Sequence, residues 1–310
     1  MALFDDPGKR WIAGNAAVGL IACCLLSGCG GGVGPIKADP DAVPLLANQF
    51  EDGSGSGAGA TVELPEPTGF ATLKGRFVVT GDVDTLPPLT TSGNDRAYCG
   101  TVPDDRVAVD SEGNLRNVLI YLNTKIPASY GTWIHDSYEA SETALLDGAQ
   151  AFDQEKCRFK WRIFAMRATQ TVKVKNSDTV GHNTSIKGPF GVNSINPTLP
   201  GGSSEDYSPG KASNKPFAVS CSVHPWMAAY MISLDTPYFA VTDPSGTFEI
   251  ANVPAGVPLS FSVWHEKSLY FKNLTLTPDL KTDRRGRFEI TLNKDEIREI
   301  PVELPAAVLN

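Results

Sequence analysis

Between Phe239 and Glu266 the chain reads FAVTDPSGTFEIANVPAGVPLSFSVWHE. Three short apolar runs are separated by an Asp-Pro-Ser-Gly turn and a Pro-Ala-Gly turn. Runs of this length, bounded by such residues, are strands and not helices. The pattern recurs elsewhere. ATLKGRFVVTG carries Leu73, Phe77 and Val79 on a strand-like segment, and the Asp110–Asn114 stretch is a turn between two strand-like runs. In TVKVKN, Val172 and Val174 alternate with Lys173 and Lys175, so one face is buried and the other wet. Long amphipathic helices are missing, and 29 glycines and 23 prolines in 310 residues supply the turns. The expectation is an all-β protein, and at ~150 residues per domain its length allows about two domains plus extras.

Net charge is −8 and no basic block occurs. A nucleic-acid partner is therefore not expected, because phosphate contacts need clustered Lys and Arg. At the N-terminus, Lys9 and Arg10 precede the apolar run WIAGNAAVGLIACCLLSGC. Its end, Leu26 to Cys29, resembles a bacterial lipobox. That resemblance implies cleavage of a signal peptide, 1–28, and lipidation of the Cys29 thiol; an ordinary secretory signal or an uncleaved anchor is the alternative. Residues 29–68 are rich in Gly, Ser, Ala and Pro and read as a flexible tether, spanning roughly 35 Å on average. The expected location is the bacterial envelope, lipid-anchored at a membrane and facing the periplasm or the exterior, where disulfides persist.

Six cysteines then sort themselves. Cys23 and Cys24 leave with the signal and Cys29 carries the lipid. Of the remaining three, Cys99 and Cys157 are the expected disulfide, with two free thiols as the alternative. Cys221 is left without a partner.

Cys221 opens CSVHPWM, which sets a thiol, the His224 imidazole and the Met227 thioether within seven residues. Soft sulfur donors beside imidazole favour copper, and a weak axial Met beside two His and a Cys is the blue-copper pattern. A second imidazole is needed. His182 follows the TVKVKN strand and its NSDTVG turn. The bland readings are a buried Cys acting as a small hydrophobe, a His capping a turn and a Met filling a gap. His135 and His265 lack partners at ligand spacing and read as structural or surface residues.

The run from Cys157 to Leu234 resembles a cupredoxin of the plastocyanin and amicyanin type. The strand, turn and His182, the segment LPGGSSEDY, and the short Cys-x-x-His-x-x-Met loop carry the likeness. It implies one type 1 copper, with His182, Cys221 and His224 as equatorial ligands and Met227 as the axial one. Thr169 and Trp161 depart from the family pattern, outside the ligand set. Asn183 would tie the His182 loop to the Cys221 loop. His224, flanked by Pro225 and Trp226, would present a ring edge at an apolar patch as the electron port.

Asp243, Gly246, Phe248, Ile250, Val253, Pro254 and Gly256 resemble the hairpin of the transthyretin-like or carboxypeptidase-regulatory-like β-sandwich. DRRGRFEITL reads as a second hairpin and EIREIPVELP as a closing strand. The expected architecture is a cupredoxin Greek-key β-sandwich, 69–235, followed by the regulatory-like β-sandwich, 236–310. Through CSVHPWM, DTPYFAVTD and VWHE, the stretch from about Leu73 to Glu266 resembles bacterial envelope proteins of a methylamine-utilisation-like group, and that resemblance implies the joining of two such domains. With no nucleophile elbow, phosphate loop, haem-attachment or zinc-protease motif, the chain reads as an electron carrier and not an enzyme. It would use a redox protein partner and no small-molecule substrate. A copper storage or delivery protein, or a structural and binding module with a vestigial site, are the other readings.

Overall fold

The computed structural model describes residues 64–126 and 131–309, and these are nearly all β. The expected signal peptide, the lipidated Cys29 and most of the tether lie outside the described residues. Order begins before the expected start at 69. Leu64 packs against the core, and the Thr68 N–H donates to the Ala255 carbonyl at 2.9 Å. No helix among the described residues is long and apolar enough to cross a membrane.

The strand Gly69–Thr80 lies between Thr247–Ala255, antiparallel, and Ile297–Pro305, parallel. A second sheet runs Phe239–Val241, Leu119–Leu122, Pro258–His265, Leu269–Tyr270, with Arg287–Thr291 also paired to Pro258–His265. Leu73, Phe77 and Val79 from the first sheet meet Ile120, Phe261 and Val263 from the second in one core. This is a β-sandwich.

The second sandwich is built from residues between Leu145 and Leu234. One sheet orders Ser204–Tyr207, Thr171–Asn176, Phe152–Glu155 and Arg158–Phe159, with Leu145–Leu146 also beside Thr171–Asn176. The other orders Ile163–Arg167, Ala228–Leu234, Phe217–Ser220 and Ser185–Ile186. Val172 and Val174 are fully buried between the sheets, together with Phe152, Met166 and Met231.

The sheets divide the chain differently from the boundary expected at 235. Residues 69–80 and 119–122 pair with strands from the C-terminal third, so the second sandwich is inserted into the first and does not precede it. The insertion leaves between Leu119–Leu122 and Phe239–Val241, which are themselves paired antiparallel. Local pattern identifies strands but not their long-range partners. The same correction applies to the expected hairpins. Phe239–Val241, Thr247–Ala255 and Pro258–His265 alternate between the two sheets, so the Asp-Pro-Ser-Gly and Pro-Ala-Gly turns are corners and not hairpin loops. At the first corner, Asp243 Oδ1 accepts from the N–H groups of Ser245 and Thr247. Gly246 has φ +72°, and a Cβ there would meet the Phe77 carbonyl at 2.7 Å, so glycine is required twice over. Asp110 and Asp283 organise DSEG and DRRG turns in the same way.

The sheet containing Leu119–Leu122 is buried on both faces. Ile120 and Leu122 face their own core, while Leu119, Tyr121 and Trp264 pack against Ile163, Ile232 and Leu234 of the inserted sandwich. Beside this apolar seam, Arg162 and Glu266 form a buried ion pair across the two sandwiches.

Candidate metal centre

The site forms where the strand Phe217–Ser220 ends. Ser220 pairs with Ala228 on one side and with Ser185 on the other. The intervening loop is closed by two backbone bonds, Cys221 N–H to the Met227 carbonyl (3.2 Å) and Met227 N–H to the His224 carbonyl (2.9 Å). The pairing with Ser185 brings the segment His182–Asn183 alongside Cys221. Its preceding loop is pre-shaped by Asn176. The Asn176 amide N–H₂ donates to the carbonyls of Val180 and Leu199, and its oxygen accepts from the Asp178 N–H.

Ligand atoms of His182, Cys221 and His224 lie within 4.8 Å of one another. All three residues are buried, and Cys221 is the free cysteine among the described residues. Met227 is buried in the same apolar cluster as Cys221. Asn183 spans both loops: its side-chain oxygen accepts from the Ser222 N–H, and its own N–H donates to Cys221 Sγ at 3.4 Å. The His224 N–H also donates to that sulfur at 3.4 Å. Trp226 packs its ring 4.9 Å from His224 and donates its indole N–H to the Cys157 carbonyl. Pro225 is exposed at the rim.

The two imidazoles meet Nδ1 to Nδ1 at 2.7 Å, a hydrogen-bond distance. Each Nε2 is held by a carboxylate on the far side: His182 by Asp178 at 2.7 Å and His224 by Asp95 at 3.1 Å. Fixing one ring nitrogen outward leaves the other aimed at the shared centre, the arrangement that metal-ligating histidines use. Asp178 is itself tied down by N–H groups of Lys156 and Cys157 and by the Tyr98 hydroxyl.

Burial works to raise the Cys221 thiol pKa, but bonds from His182 and from backbone N–H groups outweigh it and leave the thiol below its ordinary range. Burial works to lower the His182 pKa, and the Cys221 sulfur and the Asp178 carboxylate outweigh that, raising it. His224 is lowered, first by burial and then by the neighbouring His182 charge. These directions favour charge on Cys221 and His182 and neutrality at His224, and a donor set of this kind releases protons when it takes up a cation.

Cys99 and Cys157 form a disulfide. A second cluster, Cys157, Asp178 and His182, is also within ligand range, but the Cys157 sulfur is committed to that bond. The expected electron port is corrected: His224 is only 1 % exposed, because Asp95 and the turn that carries it lie over the ring. Asp178, Asp95 and Tyr98 were not singled out from sequence. An acid four residues before His182 was a readable signal for Asp178; Asp95, distant in sequence, carried none. His135 bonds Ser137 and packs on Phe70, and His265 is fully buried at the end of the strand Pro258–His265.

No protein-family model and no curated protein matches the chain. Solved structures similar to it include a reduced tryptophan-to-tyrosine mutant of amicyanin (15% identity, TM-score 0.24, covering 37% of this chain and 97% of that one). Amicyanin from Paracoccus versutus is similar at 15% identity and TM-score 0.23, covering 37% of this chain and 96% of that one. A reduced Cu(I) form of another amicyanin mutant has 16% identity and TM-score 0.24, covering 37% and 97%. Scores of this size leave function to be read from the site itself.

Proposed function

We propose that the protein is a mononuclear copper protein that carries single electrons in the bacterial envelope, anchored through Cys29. One observation carries this reading: His182, Cys221 and His224 converge with their ligand atoms within 4.8 Å, each histidine already oriented by a carboxylate on its other nitrogen. The donor set fits the metal. A thiolate, two imidazoles and a neighbouring thioether are soft ligands, and no second cysteine stands in the loop for a binuclear centre. His182, Cys221 and His224 would hold the copper, with the Met227 thioether, buried in the same cluster as Cys221, as a further soft donor.

Bound copper would supply a one-electron couple. The chain's part is to keep the surroundings still. Two backbone N–H groups fix the Cys221 sulfur. Asp178 and Asp95 hold the rings, and burial keeps water from the ligands. A site that moves little between oxidation states passes electrons with little reorganisation. Burial of all three ligand residues also favours holding the metal over handing it on. The electron would leave to a redox protein near the exposed residues next to the ligands, Val223 and Pro225 of the ligand loop and Tyr98, whose hydroxyl bonds Asp178.

Copper-loaded protein is expected to show an intense thiolate-to-copper visible band. Cys221→Ser should abolish it, while Met227→Leu should keep it and shift the potential. A colourless protein holding stoichiometric copper, or one that takes up none, would remove the reading.

A further inference from the structure

The stretch between the first two strands of the outer sandwich, Gly69–Thr80 and Leu119–Leu122, sends an arm, 89–102, over the metal centre. Its stem is closed by the Leu89 N–H to Val102 carbonyl bond (2.8 Å), and its neck by the Thr91 hydroxyl to the Gly100 carbonyl (2.7 Å). The tip is one helical turn, Arg96–Cys99, in which the Asp95 carbonyl accepts from the N–H groups of Tyr98 and Cys99.

Three attachments fasten the tip to the site. The Cys99–Cys157 disulfide joins it covalently. The Tyr98 hydroxyl donates to Asp178 Oδ1 at 3.0 Å, and Asp178 Oδ2 holds His182 Nε2. Asp95 Oδ2 stands 3.1 Å from His224 Nε2. One short element thus braces both histidines from outside, His224 directly and His182 through Asp178. Leu89 and Val102 of the stem also line a small crevice with Trp226 and Met227. The imidazole edge that would otherwise reach solvent is covered, and its nitrogen already has an acceptor.

We propose that the arm is a fixed cover over the metal, latched by Cys99–Cys157, and that Asp95 is a positioning residue that sets the His224 ring and slows metal exchange. The inference rests on the copper reading above. Removing a carboxylate that orients a ligating histidine commonly costs 10- to 100-fold in metal affinity. Asp95 is partly exposed, so its loss should leave the fold intact.

The test loads the full chain with copper, reduces the metal to Cu(I), and follows its transfer to excess bathocuproine disulfonate. Asp95→Ala should release copper about ten-fold faster or more, with the visible band of its oxidised form retained but shifted. Asp95→Asn keeps an acceptor oxygen and should restore slow release. Cys99→Ser with Cys157→Ser should release at least as fast as Asp95→Ala; if that variant does not fold, the Asp95 pair decides alone. Asp95→Ala releasing at the wild-type rate, or Asp95→Asn behaving like Asp95→Ala, would overturn the proposal. Failure of the wild type to bind copper at all would instead overturn the copper reading.

Discussion

The two sandwiches are built alike but filled differently. In the outer one the interior is almost wholly apolar, and its buried polar groups are mainly Thr and Asn side chains bonded to nearby backbone or turn groups. In the inserted one Asp178, His182 and His224 form a chain of titratable groups through the interior, with Cys221 beside it and the partly exposed Asp95 at its outer end. Buried charge is costly unless every member is paired. Here each ring nitrogen, each backbone N–H around the sulfur and three donors to Asp178 are matched. The outer sandwich therefore reads as scaffold. Its one direct loan to the metal centre is the arm carrying Asp95.

That division can be broken by perturbing the scaffold and watching the site. The largest effect is expected from Phe261→Ala. Phe261 is fully buried and stacked on Phe288 in the outer core, so its loss should cost about 4 kcal/mol in urea unfolding. The copper band of the folded fraction should be unchanged; a shifted band would mean the two interiors are not separate.

A smaller loss, about 3 kcal/mol, is expected for Glu266→Ala, which leaves Arg162 at the seam between the sandwiches with only the Ala228 carbonyl and the more distant Asp105 carboxylate. If the lobes unfold together, one transition should persist at lower denaturant. Two separated transitions would sharpen the comparison into two independently stable units.

The third is a pH effect at the same seam. Burial, and then the nearby Arg162 charge, push the His265 pKa down to about 4 from its ordinary 6.5. The unfolded chain then binds a proton that the folded chain refuses. Stability from this group is full above pH 6.5 and falls as pH drops toward 4, by about 2 kcal/mol at pH 5. His265→Gln should flatten that slope in urea midpoints measured against pH. An unchanged slope would place the acid sensitivity elsewhere.

Much of this arrangement was legible because it is local. The Cys-x-x-His-x-x-Met spacing lies within one loop, and His182 follows a strand whose alternation is plain. With Cys29 read as lipidated and Cys221 as a ligand, the cysteine count made Cys99 and Cys157 the expected pair, and they form the disulfide. What stayed hidden depends on distance. The strand Gly69–Thr80 looks the same whichever sheet it joins, since its own alternation specifies a face and not a partner. Asp95 is 129 residues from His224, and nothing in SGNDRAYC distinguishes it from a surface acid. The expected disulfide was the one clue that this segment returns to the site. Because the arm could not be placed, His224 was read as exposed.

The ligand set itself is the claim on which the rest depends, and copper K-edge X-ray absorption tests it most directly. Spectra of the Cu(I) and Cu(II) forms should both show one sulfur and two imidazole nitrogens in the inner shell, with little change between them. A shell of nitrogen and oxygen without sulfur, or the loss of an imidazole on reduction, would contradict a rigid site built from His182, Cys221 and His224.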